Sequence, residues 1–136
     1  MTRDDDDEII AAARAGFLDE AQDMLRQFEA ALLVMETAPD DQENLNAAFR
    51  AAHTIKGTAG LFGFEAVVAF THDAETLLEG LRSGKLAVNE RIMAAMLLSR
   101  DEIARLLDEV GGGSHDPAAA AAGAALGAEL RDICAG

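Results

Sequence analysis

The sequence predicts an all-α fold: an antiparallel up-down four-helix bundle with an additional C-terminal fifth helix. Three observations carry this. Apolar residues recur at steps of three and four through most of the chain. Period-two alternation bounded by turn signals, the mark of half-buried strands, is missing everywhere. Pro39, Gly84 and the run Gly111-Gly112-Gly113-Ser114 cut the chain into helix-length segments joined by short connections, and consecutive amphipathic helices with short loops pack as antiparallel neighbours.

The first helix is expected over about residues 8–36, where Ile10, Ala13, Phe17, Ala21, Met24, Phe28, Ala31 and Met35 form one stripe. The acidic residues before it suit the positive end of a helix dipole. Pro39 cannot continue the helix and disfavours it at Ala38. Asp40 or Asp41 then caps a second helix over about 42–60, with Leu45, Ala48, Phe49, Ala52, Ile55 and Ala59 inward. A kink is expected over Gly60-Leu61-Phe62-Gly63-Phe64. The third helix, about 65–82, buries Val67, Phe70, Thr71, Ala74, Leu77, Leu78 and Leu81, and Gly84 supplies a left-handed stop. Asn89 caps a fourth over about 90–109, with Ile92, Met93, Met96, Ile103, Leu106 and Val110 inward. Asp116-Pro117 reads as a cap followed by proline in the first turn of an alanine-rich accessory helix, about 117–134, carrying Leu126, Leu130 and Ile133.

At 136 residues the chain is expected to be a single domain, 1–136. A net charge of −14 argues against nucleic acid and anionic membrane as partners, since both need a cationic surface. The absence of Trp and Tyr removes the usual base-stacking platforms. Cys134 is alone, so no internal disulfide forms, and a reducing cytoplasm is the natural setting. The start, Met1 to Glu8, is acidic where a signal peptide is basic and then apolar. No apolar run approaches the roughly 20 residues of a membrane span. The expectation is a soluble, monomeric, cytoplasmic domain, cut from a longer protein just past its last helix.

His53-Thr54-Ile55-Lys56-Gly57 is the segment that speaks to function. On a helical wheel His53 lies about 110° from the centre of the inward stripe, which puts it at the rim, partly exposed. Gly57 falls about 40° and Gly60 about 20° from it, so the face beyond the imidazole carries no side chains. A glycine inside a helix costs about 1 kcal/mol relative to alanine. Two on one face call for a reason, and clear access of another molecule to the imidazole is one. Close approach of a neighbouring helix is the blander alternative.

His72 and Glu75 are three apart on the third helix and so share a face. A carboxylate that accepts the Nδ1–H of a histidine fixes its tautomer and leaves the Nε2 lone pair free. Glu75, at the rim of the adjoining antiparallel helix, is placed to do this for His53. Lys56 can offset the charge of an arriving phosphoryl group, as lysine does in phosphoryl-transfer sites.

His53-Thr54-Ile55-Lys56-Gly57, continuing through Ala59-Gly60 and Phe62-Gly63-Phe64, resembles the histidine phosphotransfer (HPt) domain at the N-terminus of CheA-type chemotaxis histidine kinases. The likeness extends to Thr71-His72, Glu75 and the Gly84, Leu86, Asn89 junction. It is most specific from Phe49 to Asn89. The resemblance implies His53 as the phosphoacceptor on Nε2, Glu75 as its hydrogen-bond partner, and Lys56 and His72 as supporting polar groups. It also implies two partners. An ATP-binding kinase domain, on the same or another polypeptide, supplies the phosphoryl group using ATP and Mg²⁺, and a response-regulator receiver domain takes it onto an aspartate. This chain has no Gly-rich phosphate loop and no Mg²⁺-binding carboxylate cluster of its own, so it is expected to bind no cofactor and to act as a carrier, with Gly57 and Gly60 facing the partner.

Three other readings stand beside this one. A metal-binding bundle would use His53, His72 and Glu75, but ferritin-like sites need Glu-x-x-His on two helices and two further glutamates, whereas His72-x-x-Glu75 is a single pair in reverse order. A structural helical adaptor explains the helices and the acidity but not an exposed histidine with cleared surroundings. An HPt domain of a non-chemotaxis phosphorelay shares the Lys56-Gly57 run, while His72 and Glu75 favour the chemotaxis type.

Overall fold

The computed structural model describes residues 3–136; Met1 and Thr2, the first two residues of the acidic N-terminal stretch, lie outside the described residues. Five helices follow in order: α1 (Arg3–Thr37), α2 (Gln42–Phe62), α3 (Glu65–Arg82), α4 (Glu90–Val110) and α5 (Pro117–Ala135). α1 packs on α2 and α4, and α3 packs on the same two helices, which closes a four-helix ring. α5 lies outside it against α3 and α4. Neighbours run antiparallel: the Asn44 side chain at the start of α2 donates to the Ala31 carbonyl near the end of α1, at 2.7 Å, while Phe62 at the end of α2 meets Phe17, with ring centroids 5.4 Å apart.

Local chemistry sets the helix ends. Asp41 accepts from the Asn44 N–H at 3.1 Å, Asn89 from the Ile92 N–H at 2.8 Å, and Asp116 from the Ala118 N–H at 3.0 Å, with Pro117 in the first turn of α5. Within the stretch Gly60-Leu61-Phe62-Gly63-Phe64, where a kink is expected, the chain ends α2, two residues past the expected end near Gly60. α2 runs straight through Gly60 and ends at Gly63 with φ +74°, where the Gly63 N–H bonds the Gly60 carbonyl and the Phe64 N–H reaches back to Ala59. That pair of bonds is a Schellman ending, and it needs the left-handed residue that glycine supplies at no steric cost.

The core is a single cluster drawn from all five helices, with Phe28, Leu32, Met35, Leu77, Leu78, Met96 and Leu130 wholly buried. Two residues of the expected first stripe are outside it. Ile10 is 56% exposed and Ala13 is exposed. The reason is length: at 1.5 Å per residue α1, with 35 residues, spans about 52 Å, against about 32 Å for the 21 residues of α2. Its first turns overhang the bundle, and burial begins at Phe17. Met24, Phe49, Met93, Val110 and Leu126 are half-buried, packed on the edge of the core.

No described helix is long and apolar enough to cross a membrane.

Candidate functional site

His53 lies in the middle of α2 on the face away from the core, and its side chain is 61% exposed. Opposite it, α3 presents Glu75. The antiparallel packing of the two helices brings the Glu75 Oε2 to 2.6 Å from His53 Nδ1, and the Oε1 of the same carboxylate to 2.6 Å from Lys56 Nζ. One carboxylate thus holds two side chains that stand one turn apart on α2. The sequence placed Glu75 at the rim; the structure buries it, with 11% of the side chain exposed. The angle explains the difference. Residues three apart on a helix differ by about 60° around its axis, which is enough to turn Glu75 into the α2–α3 seam while His72 stays outside.

Burial pushes the Glu75 carboxyl up, but hydrogen bonds from Lys56 and His53 and the charge of Lys56 act the other way, and the net result is a group held below its ordinary range. Glu75 is therefore a carboxylate and can only accept, so the proton of the His53–Glu75 bond sits on Nδ1. The neutral imidazole then carries its lone pair on Nε2. In that tautomer Nε2 has a free lone pair on a ring that is largely exposed.

Lys56 joins the cluster by a route that its spacing does not reveal. Its ammonium, on a side chain 21% exposed, is bonded to the Glu75 carboxylate. His72 is exposed, and its imidazole has no hydrogen-bond or ion-pair partner among the described residues, so the structure does not bring it into the hydrogen-bonded cluster. Gly57 and Gly60 are both exposed on α2. A Cβ at Gly57 would meet nothing within 4 Å, and one at Gly60 would make only ordinary contact with Val68 at 3.9 Å. No neighbouring helix of this chain requires either glycine.

Sequence reasoning counted Phe49 as core. Its ring is half-buried and lies parallel to the His53 imidazole, with centroids 5.9 Å apart and planes 7° from parallel. The Arg82 guanidinium sits over the Phe49 ring at 4.1 Å from its centroid. The i, i+4 spacing of Phe49 and His53 was the available signal. Among the described residues there is no group of three or more His, Cys, Asp or Glu side chains arranged to hold a metal ion.

Residues 12–113 match the model of the Hpt domain family, three quarters of the chain. The chain belongs to the Hpt domain family. Among proteins similar to this Hpt chain is the chemotaxis protein CheA of Rhizobium meliloti (strain 1021), 40% identical over 99 residues that make up 71% of this chain and 13% of that protein. The chemotaxis protein CheA of Salmonella typhimurium is 42% identical over 92 residues, 68% of this chain and 14% of that protein. The chain thus spans about an eighth of the length of the curated relatives it matches. Solved structures share its fold, two of them as follows. The CheA phosphotransferase domain from Thermotoga maritima has a TM-score of 0.68 and 32% identity, over 71% of this chain and 92% of that one. The phosphorylated P1 domain of CheA3, solved in complex with CheY6 from R. sphaeroides, has a TM-score of 0.80 and 25% identity, over 91% of this chain and 96% of that one.

Proposed function

We propose that this Hpt chain is the phosphotransfer domain of a CheA-type chemotaxis kinase, with His53 as its phosphoacceptor. The observation that carries the reading is the His53–Glu75 bond at 2.6 Å, which leaves Nε2 unprotonated on a side chain 61% exposed. In the first step the Nε2 lone pair attacks the γ-phosphorus of ATP held with Mg²⁺ on a separate kinase domain. The N–P bond forms, the bond from phosphorus to the β,γ-bridging oxygen breaks, and ADP leaves. Positive charge develops on the ring as this happens, and the Glu75 carboxylate on Nδ1–H stabilises it, as a buried carboxylate does for an imidazolium elsewhere. In the second step an aspartate of a response-regulator receiver domain attacks the same phosphorus. The O–P bond forms, the N–P bond breaks, and the ring returns to its neutral form.

Lys56 acts here through Glu75. It keeps a carboxylate ionised in a seam where burial alone would favour protonation. His72, exposed one turn before Glu75, contributes at most to the outer surface of the site. Gly57 and Gly60 present bare backbone to the incoming domain. On this reading ATP is held by the kinase domain and the chain works in the cytoplasm, where ATP and receiver domains are available. The receiver reading draws on the CheA3 P1–CheY6 complex, a relative caught with a partner of that name.

The test is a two-stage transfer. The chain is incubated with a CheA kinase domain and radiolabelled Mg·ATP, purified, and mixed with receiver domains. The expected result is an acid-labile, base-stable phosphoryl adduct on the chain that moves within the assay to a receiver aspartate. An adduct stable to acid, or none with any CheA kinase domain, overturns the proposal. Phospho-chain that delivers only to receivers outside chemotaxis would instead support a general phosphorelay carrier.

A further inference from the structure

His53 is held by one hydrogen bond, and one hydrogen bond does not fix a ring. The Nδ1···Oε2 contact leaves the imidazole free to swing about that axis, and swinging moves Nε2 away from any in-line approach to phosphorus. The second constraint is the contact already described: the Phe49 ring lies within 7° of parallel to the imidazole, offset from it, with centroids 5.9 Å apart. Phe49 in turn needs support, because it borders an open hollow of about 740 Å³ that Glu75, Leu86 and Cys134 also line, so close packing does not hold its ring on that side. Arg82, which does not line that hollow, packs on the ring itself. Its guanidinium lies 4.1 Å from the Phe49 centroid. It is itself pinned by the Asn46 side-chain oxygen, which accepts from Nε at 2.9 Å, and by Glu79 at 3.2 Å. Asn46 stands one turn before Phe49 on α2 and His53 one turn after it, so guanidinium and imidazole flank the ring from opposite directions along the helix.

We propose that Phe49 and Arg82 are positioning residues for phosphoryl transfer at His53: a guanidinium–phenyl–imidazole column that sets the plane of the nucleophilic ring while Glu75 sets its tautomer. The proposal rests on the reading of His53 as phosphoacceptor. The energetic scale is modest. An aromatic pair and a partly exposed cation over a ring are each small terms, but a nucleophile's orientation enters the transfer rate directly. Neither Phe49 nor Arg82 touches the transferred group, so loss of the column lowers the rate of the chemical step and leaves binding of the kinase domain alone.

The decisive variants are Phe49→Leu, which keeps an apolar side chain and removes the stack, Phe49→Tyr, which restores the ring, and Arg82→Met, which keeps the aliphatic stem and removes the cation. Two readouts are taken on each folded protein. Proton NMR of His53 reports the phenyl ring current on the imidazole protons without any phosphorylation. Kinetics with a CheA kinase domain report kcat and KM separately. The expectation is that Phe49→Leu shifts the His53 ring protons and lowers kcat roughly two- to tenfold, the scale of one aromatic pair, at unchanged KM. Phe49→Tyr restores both. Arg82→Met has a smaller effect in the same direction, and the Phe49→Leu/Arg82→Met double variant is no worse than Phe49→Leu alone, since both act through one column. A folded Phe49→Leu protein with unshifted ring protons overturns the proposal, as does one with shifted protons and normal kcat. Should Phe49→Leu fail to fold, Arg82→Met decides alone: unmoved His53 protons and unchanged kcat reject the column. A wild-type chain that takes no phosphoryl group on His53 sinks the function reading, while the ring-proton shifts still report on the stack.

Discussion

Glu75 on α3 and His53 on α2 face each other across 2.6 Å, and the second oxygen of that carboxylate holds Lys56 at the same distance. The site is thus organised around a buried anion. A carboxylate at the surface would bond the histidine only some of the time, because water competes for both partners. In the α2–α3 seam water has little access, and the bond persists at the cost of desolvating a charge. Lys56 offsets that cost, so its place in the motif follows from Glu75 being buried.

His53→Gln is expected to abolish phosphorylation of the chain, since glutamine has the size but not the nucleophilic nitrogen. His72→Gln is expected to retain most of the label, because the His72 imidazole has no partner in the cluster among the described residues. Label chemistry and peptide mapping after incubation with a CheA kinase domain check both. Label lost in His72→Gln and kept in His53→Gln would reassign the acceptor.

Glu75→Ala is expected to slow phosphorylation of His53 by roughly 10- to 100-fold, the range that a carboxylate behind a histidine is worth to its function elsewhere. Nitrogen-15 NMR of the imidazole should show the Nε2-protonated tautomer gaining population, because nothing then anchors the proton on Nδ1. An unchanged tautomer with an unchanged rate removes Glu75 from the mechanism.

The same carboxylate gives the fold an acid-sensitive term. Its folded value lies below its ordinary 4.5, so the native state binds fewer protons there than the unfolded chain. The stability it contributes is full above that ordinary value and is lost as pH falls through the folded one. Urea titrations between pH 6 and pH 3 should show the wild type losing more stability than Glu75→Gln. Lys56→Met is expected to flatten the slope, because one of the two partners that hold the Glu75 carboxyl low is gone while the His53 bond remains. The substitution leaves a largely buried carboxylate without its cation, costs about 1–2 kcal/mol near neutrality, and recovers part of that as acid protonates Glu75. Equal pH slopes in all three proteins would show that the Lys56–Glu75 pair carries no linkage.

Much of this arrangement was legible in one dimension, and what was not has a common cause. The helix period placed His53 at the rim, and the caps at Asp41, Asn89 and Asp116 marked three starts, because both are local. Ile10 and Ala13 continue the apolar period of α1 without being buried, since burial depends on whether a neighbour reaches that far, and α2 does not. The Lys56–Glu75 bond and the depth of Glu75 depend on the register of α2 against α3, which no single-helix wheel contains. Phe49 is the subtler case. It belongs to the inward stripe and to the site at once, and its apolar character signals only the first.

The face around Gly57 yields the sharpest test of how a partner reaches His53. Since a Cβ there meets nothing within 4 Å, the chain's own packing does not explain the glycine, and the expense of a mid-helix glycine, about 1 kcal/mol against alanine, calls for a cause outside the domain. Gly57→Gln should raise the melting temperature by a few degrees, because glutamine is the better helix former and has open space to occupy. Its side chain would also stand one turn beyond the phospho-imidazole, between it and an approaching receiver aspartate. Transfer from phospho-His53 to the receiver should therefore slow and binding weaken, in a protein more stable than the wild type. That opposition of signs separates docking from folding: a packing role for the glycine predicts a lower melting temperature, with transfer falling only in proportion to unfolding. A stabilised Gly57→Gln chain that delivers its phosphoryl group at the normal rate would show that receivers approach His53 from another side.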